Sequence, residues 1–163
     1  MLTAGKQKVS GLLEKIAKSV NLDAKRTITW YSYVLFIIPI AYWLLTEIRI
    51  LASKQSWELM LKQPSVAIAS IIAIIDFMLG YYLILHKQDL LSSYENYRFF
   101  MMWQAVCQIF VGNFVCFILA LIGIHEAKRL DNGKRDSTVV VVTITSGLLL
   151  VMCFGFILIM SFI

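Results

Sequence analysis

Residues 66–86, VAIASIIAIIDFMLGYYLILH, are almost wholly apolar yet carry one carboxylate, Asp76, near their middle. As a helix the stretch is ~31 Å long, about the thickness of a bilayer hydrocarbon core. A charge at the bilayer centre costs about 2.5 to 3.5 kcal/mol on insertion scales, and each Leu, Ile, Phe or Val returns ~0.3 to 0.6. The apolar residues can therefore carry Asp76 to the midplane. In lipid the backbone must be satisfied within a helix or by a closed barrel, and a run this long without strand alternation points to helix.

The whole chain follows the same chemistry. Its 163 residues are 60% hydrophobic and 15% charged, with a mean hydropathy of +0.77. The expected fold is all-α: a polytopic membrane protein of about four transmembrane helices preceded by an N-terminal amphipathic interfacial helix. Residues 1–29 form the interfacial part and residues 30–163 a single membrane-embedded helical bundle, with segments near 30–51, 66–86, 97–125 and 138–163. In the first part Val9, Leu12, Leu13, Ile16 and Val20 recur at helical spacing. Lys8, Lys15 and Lys18 lie away from that stripe, where they would contact lipid headgroups. The bilayer is thus the first partner. Nucleic acid is not expected despite the net charge of +5, because the basic residues gather beside membrane segments.

Trp30, Tyr31 and Tyr33 at one end of the first segment suit an aromatic belt. Pro39 in its middle allows either a kinked spanning helix or a re-entrant hairpin turning there. The third segment has no evident breaker before Asn132 and Gly133, so a continuous helix from Ser93 to Asp131, ~58 Å long, is expected. Ser92 and Glu95 have capping-box spacing at its start. The protein is expected in the cell membrane with its N-terminus cytoplasmic, but four plain spans put Lys128, Arg129, Lys134 and Arg135 on the opposite side from the N-terminal lysines. Re-entrance at Pro39 would remove that conflict with the positive-inside rule.

Asp76 is the centre of the candidate intramembrane polar site. If helices two and three run antiparallel, Gln108 lies at its depth, with Gln104 on the same face of helix three and Asn113 turned away by some 140° at ~100° per residue. A carboxyl–amide bond between helices would fix packing; the alternative is a proton or cation site. Ala69, Ala73 and Gly80 share a face with Asp76, and Gly147 and Gly155 mark a second small stripe. Both are expected to serve helix packing. Cys107, Cys116 and Cys153 show no paired spacing, and neither His86 nor His125 has a spaced ligand partner, so no metal and no cofactor are expected. No nucleophile elbow, zinc-protease motif or phosphate loop is present, so no catalytic residue is named.

Three functions remain. The first is an integral membrane interaction protein, an accessory subunit or an assembly or protective factor, docking other membrane proteins or a second copy through small-residue helix faces. The second is a minimal transporter or channel subunit using Asp76. The third is a membrane enzyme.

Overall fold

Asp23 opens the first helix: its carboxylate accepts the Arg26 backbone N–H at 2.6 Å, satisfying one of the donors that a helix start leaves free. The computed structural model describes residue 11 and residues 22–161, and among these every regular element is helical, with no strand. In chain order they are α1 (Ala24–Ser53), α2 (Trp57–Leu61), α3 (Pro64–Leu85), α4 (Lys87–Leu91), α5 (Tyr94–Phe110), α6 (Phe114–Glu126), a 3-10 turn (Ala127–Arg129) and α7 (Ser137–Ser161). The expected interfacial helix, with Lys8, Lys15 and Lys18, lies outside the described residues. Helix α1 starts at Ala24, ahead of the expected segment start near residue 30.

Three of these helices, α1, α3 and α7, are long and apolar enough to cross a membrane. Their outward faces carry Ile37, Leu44, Ile48, Ile71, Met78, Leu148 and Met152, all exposed, while Thr27, Ser32, Asp76, Gln104, Gln108 and Thr143 are buried. Apolar outside and polar inside is the arrangement that lipid selects, since only the interior offers partners for polar groups. Pro39 sits inside an unbroken α1, so the chain does not turn there. Of the aromatic belt, Trp30 and Tyr33 are about half exposed, but Tyr31 is fully buried in the core. It meets Phe100 edge to face.

The continuous third helix is the expectation that the structure overturns. Residues 111–113 break it, and α6 runs back along α5, placing Gly123 against Tyr97 and Met101. The reversal has a local cause. Gly112 adopts φ 80°, a left-handed conformation open to glycine at little cost. Around it the Gly112 N–H bonds to the Ile109 carbonyl at 3.2 Å and the Asn113 N–H to the Gln108 carbonyl at 2.9 Å, the paired bonds of a Schellman ending. Asn113 then caps α6, its Oδ1 accepting the Cys116 N–H at 3.1 Å. One glycine and one asparagine thus end one helix and begin the next.

The two feet of this hairpin are tied together. The Tyr94 N–H bonds to the Asp131 carbonyl at 2.9 Å, the Ser93 hydroxyl to the Gly133 carbonyl at 3.0 Å, and Arg135 pairs with Glu95 at 3.1 Å. The Asn96 Oδ1 accepts the Asp136 N–H at 2.8 Å, and Asp136 in turn accepts the Thr138 N–H at 2.7 Å at the start of α7. Ser92 instead bonds to the Asp89 carbonyl, so the expected capping box does not form.

Each helix packs on two neighbours in the order α1, α3, α7, α5, α6 and back to α1. Residues 23, 86–93 and 127–136 consequently share one end of the bundle, and residues 54–63 occupy the other. Single cysteines placed at Gln88 and Asn132 should therefore react with an impermeant maleimide from the same side of the membrane, and one at Gln55 from the other. Labelling of positions 88 and 132 from opposite sides would restore the continuous helix.

Candidate functional site

Asp76 is positioned by the small face of α3. Ala73, Asp76, Gly80 and Leu83 are all buried, with Ala69 half-buried at the edge. Gly80 lets α1 approach so closely that a β-carbon there would lie 3.1 Å from the Leu35 Cβ and 3.3 Å from the Ser32 carbonyl. The second stripe divides. Gly147 is covered by the Trp103 indole, whereas a β-carbon at Gly155 would meet nothing within 4 Å. A side chain added at Gly155 would therefore enter open space, and the face of α7 turned inward runs through Val139, Thr143, Ser146, Leu150 and Cys153.

Gln108 Nε2 donates to Asp76 Oδ1 at 2.9 Å. Both side chains are buried, and the bond crosses the centre of the ring of helices from α5 to α3. A second polar chain lies one turn away: the Tyr31 hydroxyl donates to Gln104 Oε1 at 3.4 Å, and Gln104 Nε2 donates to the Ser146 hydroxyl at 3.2 Å. Residues from α1, α3, α5 and α7 thus converge on one buried polar centre. Tyr31 and Ser146 were not among the sequence candidates; Tyr31 was hidden by its neighbours in the aromatic group, and Ser146 lay beside the small stripe without a signal of its own.

Asn113 stands differently from its expected place. The rotation of 140° away from the glutamine face held for an unbroken helix, and the turn at Gly112 cancels it. Asn113 instead lines a cavity of about 300 Å³ together with Asp76, Ile38, Ile72, Val111 and Gly112. Ile72 lies ~20 Å along α3 from its Leu85 end and ~12 Å from Pro64, so the hairpin tip stops partway across the bundle. Beyond it α1, α3 and α7 continue.

Among the described residues, two buried atoms at this site have no hydrogen-bond partner, Gln108 Oε1 and Asn113 Nδ2. An unpaired buried acceptor and donor cost free energy, and such groups mark a place where a ligand, a water or a proton changes the count. A protonated Asp76 has an O–H to give to Gln108 Oε1 while still accepting from Nε2. A carboxylate has only acceptors, which suit Asn113 Nδ2 or a cation in the cavity.

Compared with known protein families, curated proteins and solved structures, the chain matches none.

Proposed function

We propose that the protein is a small membrane transport component, a permease or channel subunit, that takes up a proton or a small cation at Asp76. The observation that carries this is the shared cavity: Asp76 lines the same space as residues 111–113, where the helix is interrupted. Irregular backbone at membrane depth is tolerated where it is enclosed by protein or lines a wet cavity, and interrupted helices beside an ionisable group are how transporters build midplane sites. For the docking function, the faces of Gly80 and Gly147 are already covered within the chain, and the position of Gly155 is left open.

Orientation follows from charge. Among the described residues Lys25, Arg26, Lys87, Arg98, Lys128, Arg129, Lys134 and Arg135 lie toward the end with the hairpin feet, against Arg49, Lys54 and Lys62 toward the other. By the positive-inside rule the first end is cytoplasmic, in the cell membrane, with the N-terminus on that side. Re-entrance at Gly112 does for the charge count what re-entrance at Pro39 was expected to do.

A second reading keeps the interaction protein. An apolar groove of about 420 Å³ between α3 and α7, lined by Ile75, Met78, Leu79, Val141 and Leu149 among others, supports a docked membrane helix or a second copy. Flux separates the two. Purified protein in liposomes should move protons, read by a trapped pH dye under a valinomycin potential, or Na⁺ or K⁺, read by the matching ion dyes under an imposed ion gradient without valinomycin, above empty vesicles. No flux of any of the three would end the transport proposal.

A further inference from the structure

At the basic end of the bundle, where α1 begins and α3 gives way to α4, Lys25, Arg26, Thr29, Trp30 and Lys87 line a polar pocket of about 440 Å³, with Asp23 as its one acidic wall. The Asp23 Oδ1 accepts the Arg26 backbone N–H, which fixes that carboxylate at the helix start while it keeps its negative charge on the pocket wall. Among the described residues that line it, Lys25 and Lys87 with the Arg26 side chain outnumber the one carboxylate, so the lining is net positive and favours an anion. Lys87 is held in place by a bond from its ammonium to the Thr29 hydroxyl. A second, smaller pocket of about 230 Å³ shares Thr29 and Lys87 with the first and continues along the α1–α3 seam past Ser32, Tyr33 and Ile84.

We infer that this double pocket binds an anionic phosphate group, and that a phospholipid supplies it, the headgroup lying among Lys25, Arg26 and Lys87 and an acyl chain following the seam past Ile84. The lipid source is favoured by that continuity, since a free phosphate would have no use for the lower pocket. Trp30 and Tyr33, half exposed and edge to face at 6.2 Å, stand where interfacial aromatics mark the headgroup level. The Lys87 ammonium is also pushed below the ordinary lysine range, first by burial and then by the nearby charge of Lys25, which Asp23 only partly offsets. A bound phosphate would relieve that repulsion, which gives the site a reason to prefer a filled state.

The test uses the full chain purified in a mild detergent, with phosphatidylglycerol or phosphatidylcholine added and retained lipid read by native mass spectrometry. Phosphatidylglycerol should be retained and phosphatidylcholine not. Lys25→Gln with Lys87→Gln should weaken retention about 30-fold, at roughly fivefold per cation removed near the headgroups. Lys25→Arg with Lys87→Arg should restore it, and Lys54→Gln at the other end should change nothing. Circular dichroism on the same samples keeps a folding defect apart from a binding defect. Unchanged phosphatidylglycerol retention in a folded double glutamine variant would overturn the site. Inorganic phosphate binding as tightly as the lipid, and lost in the same variant, would overturn the lipid as its source.

Discussion

Gly147→Ala should destabilise the protein far more than its size suggests. A β-carbon at this position would lie 1.7 Å from Trp103 Nε1 and 2.6 Å from its Cδ1, so the indole must leave. Trp103 is stacked near Phe99 at 6.4 Å and is half-buried, and its departure also uncovers the α5–α7 seam where the Cys107 thiol meets the Gly147 carbonyl. Overpacking of this kind costs ~1 to 3 kcal/mol, and Gly147→Leu should exceed that range. The control is Gly155→Ala, which meets open space; there the helix gains up to ~1 kcal/mol from alanine's better propensity. Thermal unfolding in detergent checks both, with tryptophan fluorescence reporting the displaced ring. Trp103→Ala should remove most of the added cost of Gly147→Ala, a coupling that a double-mutant cycle measures. If Gly147→Ala melts with the wild type, the two helices do not meet as described.

Asp76→Asn should leave the fold intact and abolish transport. Asparagine keeps the volume, accepts the Gln108 amide as Asp76 Oδ1 does, and brings an N–H of its own for Gln108 Oε1, the acceptor now without a partner. The expected change in stability is ~1 kcal/mol or less, in line with hydrogen bonds between membrane helices. What the substitution removes is the titrating group and the negative charge. Asp76→Leu, by contrast, strands both ends of the Gln108 amide in the core and should cost ~1 to 3 kcal/mol. Melting temperature and liposome flux, measured on the same preparations, decide the matter. Full flux with Asp76→Asn would end the transport proposal as built on this residue, and lost flux in a folded variant would end the purely structural one.

The hairpin tip offers a third check. Gly112→Val places a β-branched residue at φ 80°, where its side chain is strained, and so works against the Schellman turn. It should lower stability by ~1 to 3 kcal/mol and reduce flux even though Asp76 is untouched. Unaltered melting and flux would show that the turn does not depend on glycine.

The residues that betray the turn were visible in the sequence but outweighed by it. Gly112 and Asn113 are the same pair of residue types as Asn132 and Gly133, which signal a helix end because polar sequence surrounds them. Inside an apolar run the pair is masked: hydropathy averages over it, and segment length alone reads as one span. The tied feet from Ser93 to Asp136 and the close approach of Gly123 to Tyr97 are contacts between residues 20 to 40 apart in sequence, which no local pattern carries. The same limit hid Tyr31. Its neighbours Trp30 and Tyr33 face outward as interfacial aromatics do, and only the rotation of α1 against α5 turns Tyr31 inward.

By itself the sequence determined the class and the depth of the key group. Long apolar runs commit this backbone to helices that satisfy their own hydrogen bonds, and the position of Asp76 within its run sets how far it lies from either end. The small face of α3 was legible too, since 3.6-residue periodicity alone puts Ala73, Asp76, Gly80 and Leu83 on one side. The tertiary structure decided which of two similar glycines is packed, where the chain doubles back, and which polar groups meet. Those outcomes depend on how side chains from different helices fill one another's space. The pairing of Asp76 with Gln108, and the arrival of Asn113 beside them, therefore exist only once five helices close into a ring.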